Sequence, residues 1–271
     1  MRALRLAATL AVASTLFAAD IPRRRAPVIN IGGVVNAASF TPAPENFVSP
    51  NAIISIFGID LSLRTRPVRE SDLAGGRLPL SLGGVSVLLN NQRLPLYFVS
   101  EFQINAQIPD NVQPGEWRLR VNRENLISVN EANVSIRAVA PGLFNVVVHP
   151  DFTLVGRKIE IGATATRPGR VIICFGTGMG QTAPFVFAGE LPNFAAPIIH
   201  PVKAFLGGGE LPRESILYAG QAPRLAGLYQ WNILLPATIP FGDLELIVEV
   251  DGVKSQPGVF VAIDPSELST F

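Results

Sequence analysis

The chain has 271 residues, of which 48% are hydrophobic and 16% charged, enough apolar material for two ordinary domains with a core each. That balance excludes a disordered chain, which needs low hydrophobicity and high net charge. A formal net charge of +1 supplies no global field towards nucleic acid or an acidic surface.

The N-terminus reads as an export signal. Arg2 and Arg5 precede an apolar run from Leu6 to Ala19 that ends in small residues, with cleavage expected near Ala18 or Ala19; Ala11-Val12-Ala13 also offers small residues at the required spacing. The run is about 14 residues long against the roughly 20 that a spanning helix needs, so residues 1–19 read as a signal peptide, with no stable membrane insertion after its removal. No Cys lies near the cleavage region, which argues against a lipid anchor. Residues 20–30, with Arg23-Arg24-Arg25 between Pro22 and Pro27, read as an extended linker.

A first domain is expected over residues 31–138. Asn36-Ala37-Ala38-Ser39-Phe40 leads into a Pro-rich loop, and a strand over 51–57 is expected to stop at Gly58. Residues 60–80 read as a long loop of mixed charge, the kind of segment where function often sits. Strands follow at about 85–89, 94–99, 103–108, 116–121 and 131–137, with Asn90-Asn91 as a tight turn. A second domain is expected over 139–264, opening at Ala140-Pro141-Gly142-Leu143-Phe144. Its other strands are expected at about 144–148, 158–161, 184–187, 200–205, 213–218, 244–250 and 258–263, besides runs ending at Phe175 and at Pro236. Residues 265–271 read as a tail. Nowhere do apolar residues recur at helical spacing over 11 or more residues between caps. The 24 Gly and 23 Pro lie scattered among short β-branched runs, the punctuation of an all-β chain.

The two halves repeat each other. Gln103-Ile104-Asn105-Ala106-Gln107-Ile108-Pro109 returns as Gln230-Trp231-Asn232-Ile233-Leu234-Leu235-Pro236 at an offset of 127, which also carries Gly115 onto Gly242 and Val121 onto Val248. An offset of 118 carries Pro50 onto Pro168 and Gly58 onto Gly176. The difference implies about nine extra residues in the second half, part of them at Gly220 to Leu225. Seven or so short strands in about 110 residues point to an all-β fold of two tandem immunoglobulin-like β-sandwich domains.

Asn36-Ala37-Ala38-Ser39-Phe40, Ser55-Ile56-Phe57-Gly58, Leu82-Gly83-Gly84-Val85-Ser86-Val87, Gln103-Ile104-Asn105, Ala140-Pro141-Gly142-Leu143-Phe144 and Gly176-Thr177-Gly178-Met179-Gly180 together carry a resemblance. The chain resembles an uncharacterised C-terminal domain family of secreted acidobacterial proteins of the Solibacter type. More distantly, each half resembles the immunoglobulin-like IPT/TIG domains of surface proteins. The resemblance spans about residues 31–264. It implies a secreted β-sandwich module usually carried by larger multidomain proteins, and it brings no catalytic residues with it.

Chemistry-bearing residues are sparse. Gly176-Thr177-Gly178-Met179-Gly180 follows an apolar strand, but Gln181 to Phe187 reads as turn and strand. The helix that a phosphate-cradling loop requires is missing. His149 and His200 are the only histidines, each beside a proline, too few for a Zn site or a convincing Ser-His-Asp arrangement. Asp60, Glu70 and Asp72 flank the long loop, where a Ca²⁺ site would need converging oxygens. The single Cys174 lies in a buried-strand pattern, as a small hydrophobe would. No cofactor or metal is expected.

The repeated amides Gln103, Asn105, Gln230 and Asn232 share a strand face with their neighbours at period two. They read first as a structural motif and second as an amide-lined ligand surface. Trp117 and Trp231 read as facing either side of their strands. Phe185, Phe187 and Phe194 sit in a Pro-rich apolar segment that packs on the other domain or on a partner. The reading is a secreted, non-catalytic interaction or adhesion module of the cell envelope, in the periplasm or on the cell surface. It would bind protein or polysaccharide, and no nucleic acid, through loops and sheet edges. The alternative is a carbohydrate-binding module, favoured by an exposed Trp117 or Trp231 beside amides.

Overall fold

The computed structural model describes residues 25–158 and 162–264. The signal peptide, the first part of the linker, residues 159–161 of the strand expected at 158–161, and the tail lie outside the described residues. The fold is all-β, with four sheets in two pairs, each pair a sandwich.

The first sandwich contains β1 (Val28–Asn36), β2 (Ile53–Ile59), β3 (Arg66–Pro67), β4 (Val85–Leu89), β5 (Gln92–Arg93), β6 (Leu96–Val99), β7 (Gln103–Gln107), β8 (Gly115–Arg123), β9 (Leu126–Ile127) and β10 (Ala132–Ile136). One sheet runs β1-β2-β7-β6-β3; the other runs β10-β8-β4-β5, with β9 also beside β8. The second sandwich contains β11 (Gly142–Val148), β12 (Val171–Thr177), β13 (Ala196–Pro197), β14 (Val202–Leu206), β15 (Gly209–Glu210), β16 (Ile216–Gln221), β17 (Tyr229–Leu234), β18 (Gly242–Val250), β19 (Val253–Lys254) and β20 (Phe260–Ile263). Its sheets run β11-β12-β17-β16-β13 and β15-β14-β18-β19, with β20 also on β18. Helical structure among the described residues is confined to single 3₁₀ turns at Glu70–Asp72 and Arg213–Ser215, and none is long and apolar enough to cross a membrane.

Alternation at period two sends one side of each strand inwards. Ile54, Ile56, Ile104 and Ala106 meet Val85, Val87, Leu119 and Val121 in the first core. Ile172, Cys174, Trp231 and Ile233 meet Leu246, Val248, Val250 and Val261 in the second. Each Val, Leu or Ile so buried contributes about 1.5–3 kcal/mol, and this drives both sandwiches. The repeat extends to the irregularities. β1 bulges between Ile29 and Val34 as β11 does between Leu143 and Val147, and β6 bulges between Leu96 and Phe98 as β16 does between Ile216 and Tyr218.

Three sequence expectations change. Gly58 does not stop its strand but lies inside β2, because β1 continues the ladder by pairing Ile29 with Gly58 and Val28 with Ile59; the Val28 carbonyl would lie 2.2 Å from a Cβ there, so the position takes glycine. Gly176 plays the same part in β12, where the Gly142 carbonyl would lie 2.4 Å from its Cβ. The stretch 184–187 is not a strand: Val186 O accepts from Asn51 of the first sandwich, Pro184 O accepts from Thr182 Oγ1, and Phe187 closes a turn with Glu190. The strand expected at 213–218 begins with a 3₁₀ turn and becomes extended only at Ile216.

Candidate interaction surface

The end of β12 docks on the start of β2. The buried Thr177 Oγ1 accepts from Ile53 N at 2.8 Å and donates to Gly227 O at 2.7 Å. Gly227 adopts φ +66°, and a Cβ there would lie 2.5 Å from Asn51 O and 2.6 Å from Gln107 Nε2, so only glycine fits this approach. Gln107 is buried; its Nε2 donates to Asn51 O at 3.2 Å, and its Oε1 accepts from Gly189 N at 2.7 Å. Asn51 Nδ2 donates to Val186 O, and Ala188 N donates to Asp110 Oδ1. Tyr97 OH donates to Ala226 O at 2.6 Å; burial pushes this phenol well above its ordinary pKa, so it stays a donor. Asn36 Nδ2 donates to Ala140 O at 2.9 Å in the connection between the sandwiches. The joint is thus largely a neutral hydrogen-bonded contact. Each bond adds about 0.5–1.5 kcal/mol, but an unpaired buried partner would cost about 1–3 kcal/mol.

Close approaches at this joint and within the second sandwich explain the glycine-rich run. A Cβ on Gly178 would lie 2.1 Å from Ala140 O, and one on Gly180 would lie 2.9 Å from the His200 ring. The space above these glycines holds the chain's own atoms, where a phosphate cradle would need it open.

The segment from Pro184 to Leu191 lies across the same joint. Leu78 N donates to Gly189 O at 2.8 Å, and Leu191 N donates to Gly76 O at 2.9 Å. Val186 points inwards and is buried, while its neighbours point out: Phe185 is 42% exposed and Phe187 is 50% exposed. Their rings meet edge to face at 5.1 Å, and the Arg77 guanidinium stands 5.7 Å from the Phe187 ring centre. Phe194 is also exposed. Arg224 N donates to Pro192 O, which ties the loop after β16 to the same surface.

The tryptophans do not belong to this surface. Trp231 occupies the position of Ile104 in the repeat, on the core side of its strand, and is fully buried opposite Cys174. Trp117 is half-buried against the first core, and its Nε1 donates to Gln113 O at 3.0 Å. The repeated amides bond one another: Gln103 Nε2 donates to Asn105 Oδ1 at 2.8 Å, and Gln230 Nε2 donates to Asn232 Oδ1 at 2.8 Å. Ser55 Oγ also donates to Asn105 Oδ1. Thr177, Tyr97, Asn51 and Gln107 were missed as joint residues. The one sequence signal was that the third amide, Gln107, is replaced by Leu234 in the second copy.

The remaining polar groups are spread apart. Asp72 pairs with Arg66 and accepts from Arg69 N, and Asp60 faces the buried Arg123 at 3.9 Å. His200 lies 4.0 Å from Asp251, while His149 Nε2 contacts Thr164 Oγ1 at 3.1 Å. Hydrogen bonds from Thr153 hold the Asp151 carboxyl below its usual range. Among the described residues, no three His, Cys, Asp or Glu gather as a metal site would require. A cavity of about 730 Å³ opens where β11 ends and β12 begins, lined among others by His149, Thr164, Gly169, Arg170 and Val171.

Comparison with protein-family models and with curated proteins finds no match. Among solved structures, the chain is similar to SGBP-B of the Bacteroides ovatus mixed-linkage glucan utilization locus, in complex with a mixed-linkage heptasaccharide. That match has 13% identity and a TM-score of 0.33, over 84% of this chain and 46% of that one. It is also similar to titin Ig tandem domains, at 9% identity and a TM-score of 0.23 over 89% and 98% of the two chains. A third similarity is to the BSP domain of a biofilm-associated protein, at 11% identity and a TM-score of 0.25 over 81% and 28%. The chain spans less than half the length of the first of these proteins. At such identities and TM-scores no site residue is carried across.

Proposed function

We propose that the chain is an exported, non-catalytic interaction module of the cell envelope, which holds a protein partner on the aromatic loop at its domain joint. The observation that carries this reading is the Phe185–Phe187 pair, exposed and edge to face on a backbone fixed by bonds to the first sandwich. A loop ordered before binding avoids the entropy that a mobile loop would lose on contact. Aromatic and Arg side chains dominate the centres of protein interfaces, and Arg77 stands beside Phe187. The export signal and the resemblance to secreted acidobacterial modules support the location. The carbohydrate-binding alternative loses its platform, since Trp231 is buried and Trp117 is half-buried and hydrogen-bonded.

The test is retention of envelope proteins on the immobilised chain, compared with a Phe185→Ala/Phe187→Ala variant. Retention should fall roughly 30-fold or more, as for removal of interface hot spots, while the melting temperature stays nearly unchanged. Undiminished retention by the variant, or saturable binding to a polysaccharide and to no protein, would overturn the reading.

A further inference from the structure

The domain joint has a counterpart at each end of the molecule. Strand register maps one sandwich onto the other: Ile53 pairs with Gln107 as Val171 pairs with Leu234, and Leu96 pairs with Ala106 as Ile216 pairs with Ile233. The first sandwich receives the second through Asn36, Asn51, Ile53, Tyr97 and Gln107. The same positions of the second sandwich hold His149, Gly169, Val171, Leu217 and Leu234. His149, Gly169 and Val171 line the 730 Å³ cavity, and Leu217 and Leu234 are 55% and 36% exposed. The second sandwich therefore carries the corresponding socket surface, and among the described residues no other domain docks on it.

The inserted side of the joint is also duplicated. Thr177 pairs with Gly142 as Ile59 pairs with Val28, so Ile59 stands where Thr177 does. Asp60 follows it at φ +58°, as Gly178 follows Thr177 at φ +79°. Ser100 takes the place of Gly227, and Phe102 that of Tyr229. Ile59 is 51% exposed and Phe102 is 58% exposed. Three polar joint residues are replaced by apolar ones at the two outer ends: Thr177 by Ile59, Gln107 by Leu234 and Tyr97 by Leu217. Contact between separate chains must offset lost rotational and translational freedom, and burial of apolar surface is what does so. Charge matches as well. Ser100 stands in the place of Gly227 and Gly169 in that of Asn51; the Ser100 side chain holds the two backbones further apart than Gly227 and Asn51 stand, and docking in this sense sets the exposed Glu101 on the side of the exposed Arg170.

We propose that the chain associates head to tail with further copies of itself, the open end of the second sandwich of one copy receiving the start of the first sandwich of the next. Such a contact uses two different surfaces, so it propagates into open chains of copies unless the rotation happens to close a ring. It is independent of the aromatic loop, and Phe187→Ala should leave it intact.

Sedimentation velocity of the full chain over a concentration series tests this, with Leu234→Glu spoiling the socket and Ile59→Glu spoiling the insert. Both side chains reach solvent, and circular dichroism checks that each variant folds. The wild-type mass should grow with concentration beyond two chains, and each variant alone should stay at one. An equimolar mixture of the two should stop at two chains, since one intact socket meets one intact insert. Wild type that stays single at every concentration, a variant that still assembles alone, or a mixture that stays single would overturn the proposal. If either variant misfolds, the charge pair replaces it: Glu101→Arg or Arg170→Glu alone should weaken assembly and the two together should restore it. Failure to restore counts against the proposal.

Discussion

Replacing Thr177 by Val keeps the volume of the side chain but removes the oxygen that accepts from Ile53 N and donates to Gly227 O. Both partners are buried at the joint, so the loss is expected to be about 2 kcal/mol, read as a lower denaturant midpoint. Thr177→Ser retains the hydroxyl and should recover most of it. Cys174 makes the opposite point, since nothing near it calls for chemistry. It is the chain's single cysteine, and burial among apolar side chains pushes its thiol up to about 12. The thiolate is therefore absent across the ordinary pH range. A thiol reagent at pH 8 should modify the native chain only at the rate of unfolding, and the denatured chain at once. Rapid labelling of the native protein would show that the strand opens more readily than its core packing allows.

At the scale of elements, the glycine run and the loop behind it act as one fitted piece. Gly178→Ala places a Cβ 2.1 Å from the Ala140 carbonyl at a left-handed φ, and the obstacle is backbone, which cannot swing aside. The expected outcome is a loss of more than about 2 kcal/mol, with both cores still formed by circular dichroism, because the clash falls between the sandwiches. Strands with a core on one side were legible, since period-two alternation is a local property: Gln103, Asn105, Gln230 and Asn232 betray their shared face without a structure. The same logic could have placed Trp231, whose repeat partner Ile104 stands between those amides and so faces the core. The segment 184–187 was not legible. Phe185-Val186-Phe187 truly alternates out, in, out, but Val186 O accepts from Asn51 of the other sandwich, and the next two amides, of Ala188 and Gly189, donate to its Asp110 and Gln107. A one-dimensional pattern shows the period of a segment and not what it docks on, so a loop laid against another domain looked like a strand.

At the scale of the whole molecule, the question is whether the two sandwiches move as one body. The joint bonds described above are mostly neutral. Among the described residues, the ion pair across it, Arg77 with Glu190 at 3.9 Å, is long and partly exposed and contributes little. Salt should therefore leave the joint closed, and small-angle scattering curves at low and high ionic strength should superimpose. Gln107 is where the joint is expected to open. Gln107→Ala leaves Gly189 N and Asn51 without their buried partner, at a cost of about 2 kcal/mol, yet it removes no side chain from either core. The scattering of this variant should broaden towards many interdomain orientations, and the Ile53 and Gly189 amides should lose their protection from hydrogen exchange. Core amides in β7 and β17 should keep theirs, because each sandwich is closed by its own apolar contacts. If the wild-type chain already samples many orientations, or if core and joint amides of the variant lose protection together, the sandwiches are not coupled through Gln107. Any docking would then have to rest on the other bonds of the joint, those of Thr177 with Ile53 and of Tyr97 with Ala226 among them.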